Sequence, residues 1–206
     1  MSVAFPAFFE LAPRITMRDP LAALLGASDD GLLVYGYVDA VWLAGHSCPT
    51  VAGAFLMVSA ALRALYPDEP AERGAVAVRM PAPETGGTIG VVAQVLTLVT
   101  GAAAANGFHG LGGRFVRQGL LRFAPNDEGI GVRFRRHDTG QAVQVTLDLA
   151  SVPPAPDLRE RMAEALAPAA TAEQQRAFGE LWQARVRRLL LEHADDPQVI
   201  RLERVA

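Results

Sequence analysis

The stretch from Cys48 to Tyr66, CPTVAGAFLMVSAALRALY, decides the fold, because it predicts a long helix buried on almost every side. From Val51 onward this segment is apolar nearly all round a helical projection, which is typical of a helix inside a core. Proline is favoured at the first position of a helix, so Pro49 marks the start and Cys48 takes the N-cap position. The turn sequence PDEP at 67–70 predicts the end of the helix.

The segments on either side of this helix predict an α+β fold. The predicted elements are a short helix over 20–26 capped by Asp19, a strand over 31–38, a strand over 75–80, a second apolar helix over 91–99, a glycine-rich loop over 101–113, and strands over 115–123, 131–136 and 143–149. Turn residues at 126–129 and 137–140 predict hairpins between the last three strands. We therefore expect a mainly antiparallel sheet packed against two buried apolar helices.

A proline-rich break, VPPAP at 152–156, suggests a boundary between a core over 1–152 and a helical C-terminal segment over 153–206. The segment has predicted helices over 158–166 and 173–193, the second beginning at the N-cap candidate Thr171, and a last strand over 199–205. We expect this segment to pack on the core or on the partner in a homodimer.

Composition narrows the classes of function. The chain has 206 residues, of which half are hydrophobic, and a net charge of -3, which gives no long-range attraction to nucleic acid or to an anionic membrane. The longest weakly polar stretch, over 91–105, is too short to span a bilayer, and the first residues lack the order of a signal peptide.

A single cysteine excludes an internal disulfide and suits a reducing cytoplasm. All 19 basic residues are arginines, a bias that suggests a GC-rich bacterial genome and excludes a Schiff-base lysine.

His46 and Cys48, in the segment AGHSCPT over 44–50, are the first candidate site residues. A helix N-terminus favours a thiolate, the form of cysteine that binds metals and attacks electrophiles. An imidazole two residues before it supplies a second ligand, so the pair predicts half of a tetrahedral zinc site. The alternative is a buried structural cysteine beside a surface histidine, since buried thiols are common and usually inert.

Two motifs resemble those of the formylmethanofuran dehydrogenase E-subunit-like family. The string GHSCPTVAGAF over 45–55 is similar to its H-G-H-x-C-P-G segment, and VAQVLTLVTG over 92–101 is similar to its helix ending in Thr-Gly-Cys-Thr. The glycine-rich loop and the strand beginning at Arg114 continue the likeness, which covers about residues 40 to 125. The resemblance implies an α+β core, often dimeric, with a metal site, usually zinc, around the Cys and His.

This chain departs from both motifs. The first histidine of the family segment is Ala44 here, and the cysteine of the second motif falls at Ala102, so only His46 and Cys48 carry over. His109, in the loop NGFHGLGG, and Glu84, in the loop PAPETGG, are the further candidate metal ligands. A set of two histidines and a cysteine with water would be an open site of the catalytic kind. For both added residues the alternative is a solvated loop side chain.

Three functions are compatible with these residues. The first is a metal-binding accessory or sensor protein that holds zinc, or another thiophilic ion, and acts on a protein partner. The second is a small metal- or thiol-dependent enzyme with an open His/Cys site, so the sequence leaves catalysis undecided. The third is haem binding through Cys48–Pro49 with His46 as a second axial ligand.

Overall fold

The helix predicted from Pro49 lies at the centre of the structure, a computed structural model that describes residues 5–126 and 131–205. In chain order the elements are a 3-10 helix at Ala7–Leu11, β1 (Ile15–Arg18), α1 (Pro20–Leu24), β2 (Leu32–Tyr35), α2 (Tyr37–Ala44), α3 (Pro49–Leu65), β3 (Ala71–Glu72), β4 (Val76–Met80), α4 (Ile89–Thr100), β5 (Leu121–Phe123), β6 (Val132–Arg136), β7 (Ala142–Leu147), α5 (Leu158–Leu166), α6 (Ala172–Leu191) and β8 (Ile200–Val205).

Helix α3 is buried along most of its length, as its sequence predicts. Its N-cap is Cys48, and Pro49 follows at the first helical position. The helix packs against α4, α6 and strand β7. A side chain at Gly53 would overlap Leu147 of β7, so glycine here lets the helix approach the sheet closely.

The strands form two sheets, of order β2-β1-β3 and β5-β4-β6-β7-β8. Pairs β1–β3 and β4–β5 are parallel, and the other pairs are antiparallel. Helix α4 connects β4 to β5 and carries the chain back across the sheet, which is the connection that parallel neighbours need. The predicted α+β class, with a sheet rich in antiparallel pairs, is confirmed.

The predicted three-strand meander is wrong at its first strand. Of the expected strand over 115–123, only Leu121–Phe123 forms a strand; Phe115 and Gly119 have φ of 61° and 75°, which a strand does not allow. Strand β5 pairs with β4, which lies between β5 and β6, so a turn at 126–129 does not join paired strands. Residues 127–129 of that turn lie outside the described residues. The hairpin between β6 and β7 is confirmed.

The strand predicted over 31–38 ends at Tyr35, and helix α2 begins at Tyr37. Gly36 is the N-cap of this helix, and its backbone N–H donates to Oδ2 of Asp39 at 2.7 Å. That hydrogen bond satisfies a free N–H of the first turn, so the chain turns helical although Tyr37 and Val38 have strand propensity.

The C-terminal residues join the core at two places. Helix α6 begins at the N-cap Thr171, whose hydroxyl accepts from the N–H of Gln174. It packs against α3, and β8 pairs with β7 to complete the larger sheet. In the described ranges, none of the helices combines the length and the apolarity that crossing a bilayer requires.

Candidate functional site

Cys48 lies at the N-terminus of α3, as its sequence context predicts, but its side chain packs into the core. The residue is 8% exposed and belongs to the main hydrophobic cluster. Its Sγ accepts a hydrogen bond from the backbone N–H of Val51 at 3.5 Å. The thiol therefore caps the helix from inside an apolar environment.

His46 has the opposite environment. The residue is exposed, and its Nδ1 lies 2.9 Å from the carbonyl oxygen of Ala44, two residues before it. A local hydrogen bond to the backbone thus orients the ring at the protein surface. These two environments match the alternative given for the pair, a buried structural cysteine beside a surface histidine.

Glu84 and His109 are both exposed loop residues. Glu84 lies on the wall of a cavity beside α4, and neither histidine candidate nor Cys48 lines that cavity. Within residues 5–126 and 131–205, no three His, Cys, Asp or Glu side chains are close enough to share a metal ion. The donors present therefore do not fit a metal site of three or four protein ligands within one chain.

The loop before α3 is fixed by hydrogen bonds from Ser47, the residue between the two candidates. Its Oγ accepts from the phenol of Tyr37 and donates to Oε1 of Gln183, both at 2.9 Å. Its carbonyl oxygen accepts from Nε1 of Trp182 at 2.9 Å and from Nε2 of Gln183 at 3.2 Å. Helix α6 therefore holds the candidate loop directly. Burial raises the pKa of Tyr37 far above that of a free phenol, so this bond keeps its proton at neutral pH.

A buried ionic cluster that the sequence did not reveal lies at the start of α1. Asp19, 4% exposed, caps this helix by accepting from the N–H groups of Leu21 and Ala22. Its carboxylate also accepts from Nη2 of Arg117 at 2.8 Å and from Nη1 of Arg73 at 3.1 Å. One carboxylate thus meets two guanidinium groups, and these three side chains together carry one positive charge.

Backbone groups complete the cluster. Nη2 of Arg73 donates to the carbonyl oxygen of Leu98 at 3.2 Å, and Nη1 of Arg117 donates to the carbonyl oxygen of Arg73. Gly74 has φ of +88°, and a side chain there would overlap the Arg117 guanidinium. Burial lowers the pKa of Arg117 from its usual value, and the charge of Asp19 opposes that shift. Arginine stays protonated even so, because its usual pKa is far above neutral.

Arg73 connects this cluster to a cavity of about 420 Å³. The cavity is lined by Leu43, Arg73, Glu84, Gly90, Ala93, Gln94, Thr97, Leu98, Ala103, Ala104, Asn106, Leu121 and Phe123. Helix α4 forms one wall, and the loop after it and strand β5 form others. Leu43 and Ala103 directly neighbour Ala44 and Ala102, the two positions at which this chain departs from the family motifs.

Comparison with known proteins identifies the family. No curated protein matches the chain. The family model described as FmdE, molybdenum formylmethanofuran dehydrogenase operon, matches residues 43–196 and therefore spans most of the chain. This match includes both motifs and extends through α5 and α6. The chain accordingly belongs to the FmdE family.

Proposed function

We propose that this FmdE-family chain is a small-molecule-binding protein, in an accessory or sensor role, and that Arg73 binds the acidic group of its ligand. One observation carries the proposal: a guanidinium fixed by a buried carboxylate lies on the wall of a cavity. The volume of about 420 Å³ is within the range of small-molecule sites, roughly 300–1,000 Å³.

The ionic cluster favours a ligand with an acidic group. Asp19 shares its single charge between Arg73 and Arg117, so part of the positive charge of Arg73 stays available to a ligand, although the same cavity also contains the carboxylate of Glu84. The side chain of Arg73 is 23% exposed, whereas that of Arg117 is 8% exposed, so Arg73 is the arginine that a ligand reaches. Each terminal nitrogen of Arg73 already donates once within the protein, to Asp19 and to Leu98, so a carboxylate or a phosphate would meet the second N–H of each. Gln94 and Asn106, which line the same cavity, offer amide groups for further hydrogen bonds.

The family's usual metal does not enter this proposal. Ala44 and Ala102 cannot ligate an ion, and Cys48 is buried while His46 faces solvent. The cavity is a separate place, since none of Ala44, His46, Cys48 and Ala102 lines it.

The types of residue that line the cavity favour ligand binding over catalysis. Among the described residues, the wall has one carboxylate, Glu84, and neither a histidine nor a cysteine. Cys48 is buried in the core and does not line the cavity, which argues against its acting as a nucleophile on a ligand there. A single acid without an oriented partner is not a general acid–base pair.

A thermal-shift screen with small carboxylic acids and their neutral amides tests the proposal. An acid at 100 times its Kd stabilises the fold by about 2.7 kcal/mol, which corresponds to roughly 5–10 °C in a domain of this size. Ala104→Leu fills the cavity and should abolish the shift, whereas Ala105→Leu, at the next and exposed position, should retain it. Equal shifts for acids and amides, or a full shift in Ala104→Leu, would contradict the assignment of Arg73.

We propose further that the chain forms a homodimer through strand β2. Its apolar side chains Leu32 (39%) and Val34 (55%) are exposed and, two residues apart, lie on the same face of the strand. Strand β2 is an edge of its sheet, so its outer backbone groups are available for pairing. A surface that combines an open edge with exposed apolar groups is suited to a second copy of the same chain.

A further inference from the structure

The outer face of the larger sheet has a cluster of arginines, which we call the arginine face: Arg79, Arg122, Arg133 and Arg135. Arg79 of β4 lies between Arg122 of β5 and Arg133 of β6 in register. Arg135 lies opposite Ala77, two residues along the same two strands. Three neighbouring strands thus direct four guanidinium groups towards the same side.

The arginine face surrounds a hollow. A cavity of about 620 Å³ is lined by all four arginines together with Ala77, Gln118 and His137. Ala77 lies opposite Arg135 in register and also lines this cavity. Successive residues of a strand point to opposite faces, and Leu121 and Phe123 of β5 line the other cavity whereas Arg122 lines this one. The two cavities are therefore on opposite sides of the sheet.

Arg79 and Arg133 each make a further interaction, so the argument rests on the other two members. Arg122 and Arg135 are exposed, and each donates from Nε to a carbonyl oxygen, of Gly119 at 3.4 Å and of Gly140 at 3.3 Å. In both arginines this hydrogen bond involves Nε. A bidentate contact with an anion can still use the two terminal nitrogens.

We propose that the hollow of the arginine face binds a small molecule that has two or more phosphate groups. Arg122 and Arg135 are two strands apart and two residues out of register, and both side chains line the same hollow. Two phosphate groups of one ligand can each meet one guanidinium there, and an anion with several negative charges matches the charge of both arginines. The arginine face is local, and the net charge of -3 opposes non-specific attraction of a long polyanion such as nucleic acid.

Calorimetric titration with inorganic tripolyphosphate, at about 0.15 M salt, tests this site. The double variant Arg122→Gln/Arg135→Gln should bind tripolyphosphate at least about tenfold more weakly than wild type, since each substitution removes a charge-assisted contact. Arg201→Gln is the matched control, because Arg201 is exposed on β8 of the same sheet and does not line the hollow. Its affinity, and that of Ala104→Leu in the other cavity, should equal that of wild type.

The site would be refuted by undetectable binding to wild type, by equal affinity in the double variant, or by an equal loss in Arg201→Gln. Tighter binding of a single-stranded oligonucleotide than of tripolyphosphate would also overturn the assignment of a small ligand. Exposed substitutions of this kind should leave the melting temperature within about 2 °C of wild type. The single variants Arg122→Gln and Arg135→Gln provide the same comparison at half the charge change.

Discussion

Replacing Asp19 by Asn should cost more stability than any other change of one charge in the described part of the protein. The substitution retains a side-chain oxygen that can cap α1, but it removes the carboxylate that contacts both Arg73 and Arg117. The side chain of Arg117 is 8% exposed, so its charge would remain buried without a counterion. Breaking such a pair from one side costs about 3–5 kcal/mol. Asp19→Ala also loses the cap, which adds about 1 kcal/mol.

Urea unfolding followed by tryptophan fluorescence measures this loss. The control is Asp29→Asn, an exposed acid in the turn after α1, which should change the free energy of unfolding by no more than about 0.5 kcal/mol. The double variant Asp19→Asn/Arg117→Met should be more stable than Asp19→Asn alone, because methionine removes the uncompensated charge and retains an apolar stem. A loss below about 1 kcal/mol in Asp19→Asn, or a double variant that is less stable than Asp19→Asn, would refute the electrostatic account of this cluster.

Four further predictions concern separate parts of the molecule. Elemental analysis of purified protein should find zinc well below one equivalent per chain. A full equivalent in wild type that is lost in Cys48→Ala would instead show that Cys48 binds the metal. Gly74→Ala should lower the melting temperature by roughly 5 °C or more, because φ is +88° and the methyl group would displace Arg117, and calorimetry that shows no change would contradict this packing. Burial raises the pKa of Tyr66 to about 12, so the unfolded chain ionises first from about pH 10 and the free energy of unfolding should fall between these values. Tyr66→Phe should reduce that fall in urea titrations at about pH 9 and pH 11, and an unchanged fall would mean that the phenol is not responsible. Val34→Arg places a charge on the proposed dimer surface and should shift the wild-type dimer to a monomer in analytical ultracentrifugation, whereas a monomeric wild type would exclude the dimer.

Local patterns account for the parts of the fold that the sequence predicts. Helix α3 has an apolar surface all round and a proline at its first position, so its start, its burial and the N-cap at Cys48 follow from adjacent residues. The sequence does not predict helix α2. Its start depends on one hydrogen bond between Gly36 and Asp39, whereas Tyr37 and Val38 have strand propensity. The pairing of β5 with β4 depends on how α4 returns the chain across the sheet, which no local pattern encodes.

The candidate site is harder to predict because distant residues form it. His46 is exposed and Cys48 is buried because other parts of the chain pack over the loop before α3. One of these parts is Trp182 of α6, which lies 135 residues from Ser47 and donates to its carbonyl oxygen. The ionic cluster joins Asp19 to Arg73 and to Arg117, which lie 54 and 98 residues away. The sequence indicates Asp19 only as a helix cap. The sequence does select one residue that lines the cavity, Glu84. It predicts a metal ligand at that position.

The two attachments of the C-terminal residues to the core have a consequence for the order in which the protein is made. When residues up to about 152 have emerged from the ribosome, β7 is exposed, but the strand that will cover its outer edge has not yet emerged. At that stage the backbone carbonyl of Ser47 also lacks the donors that α6 will provide. Such an intermediate exposes a strand edge to other unfinished chains, so slow translation or premature termination in this region should promote aggregation.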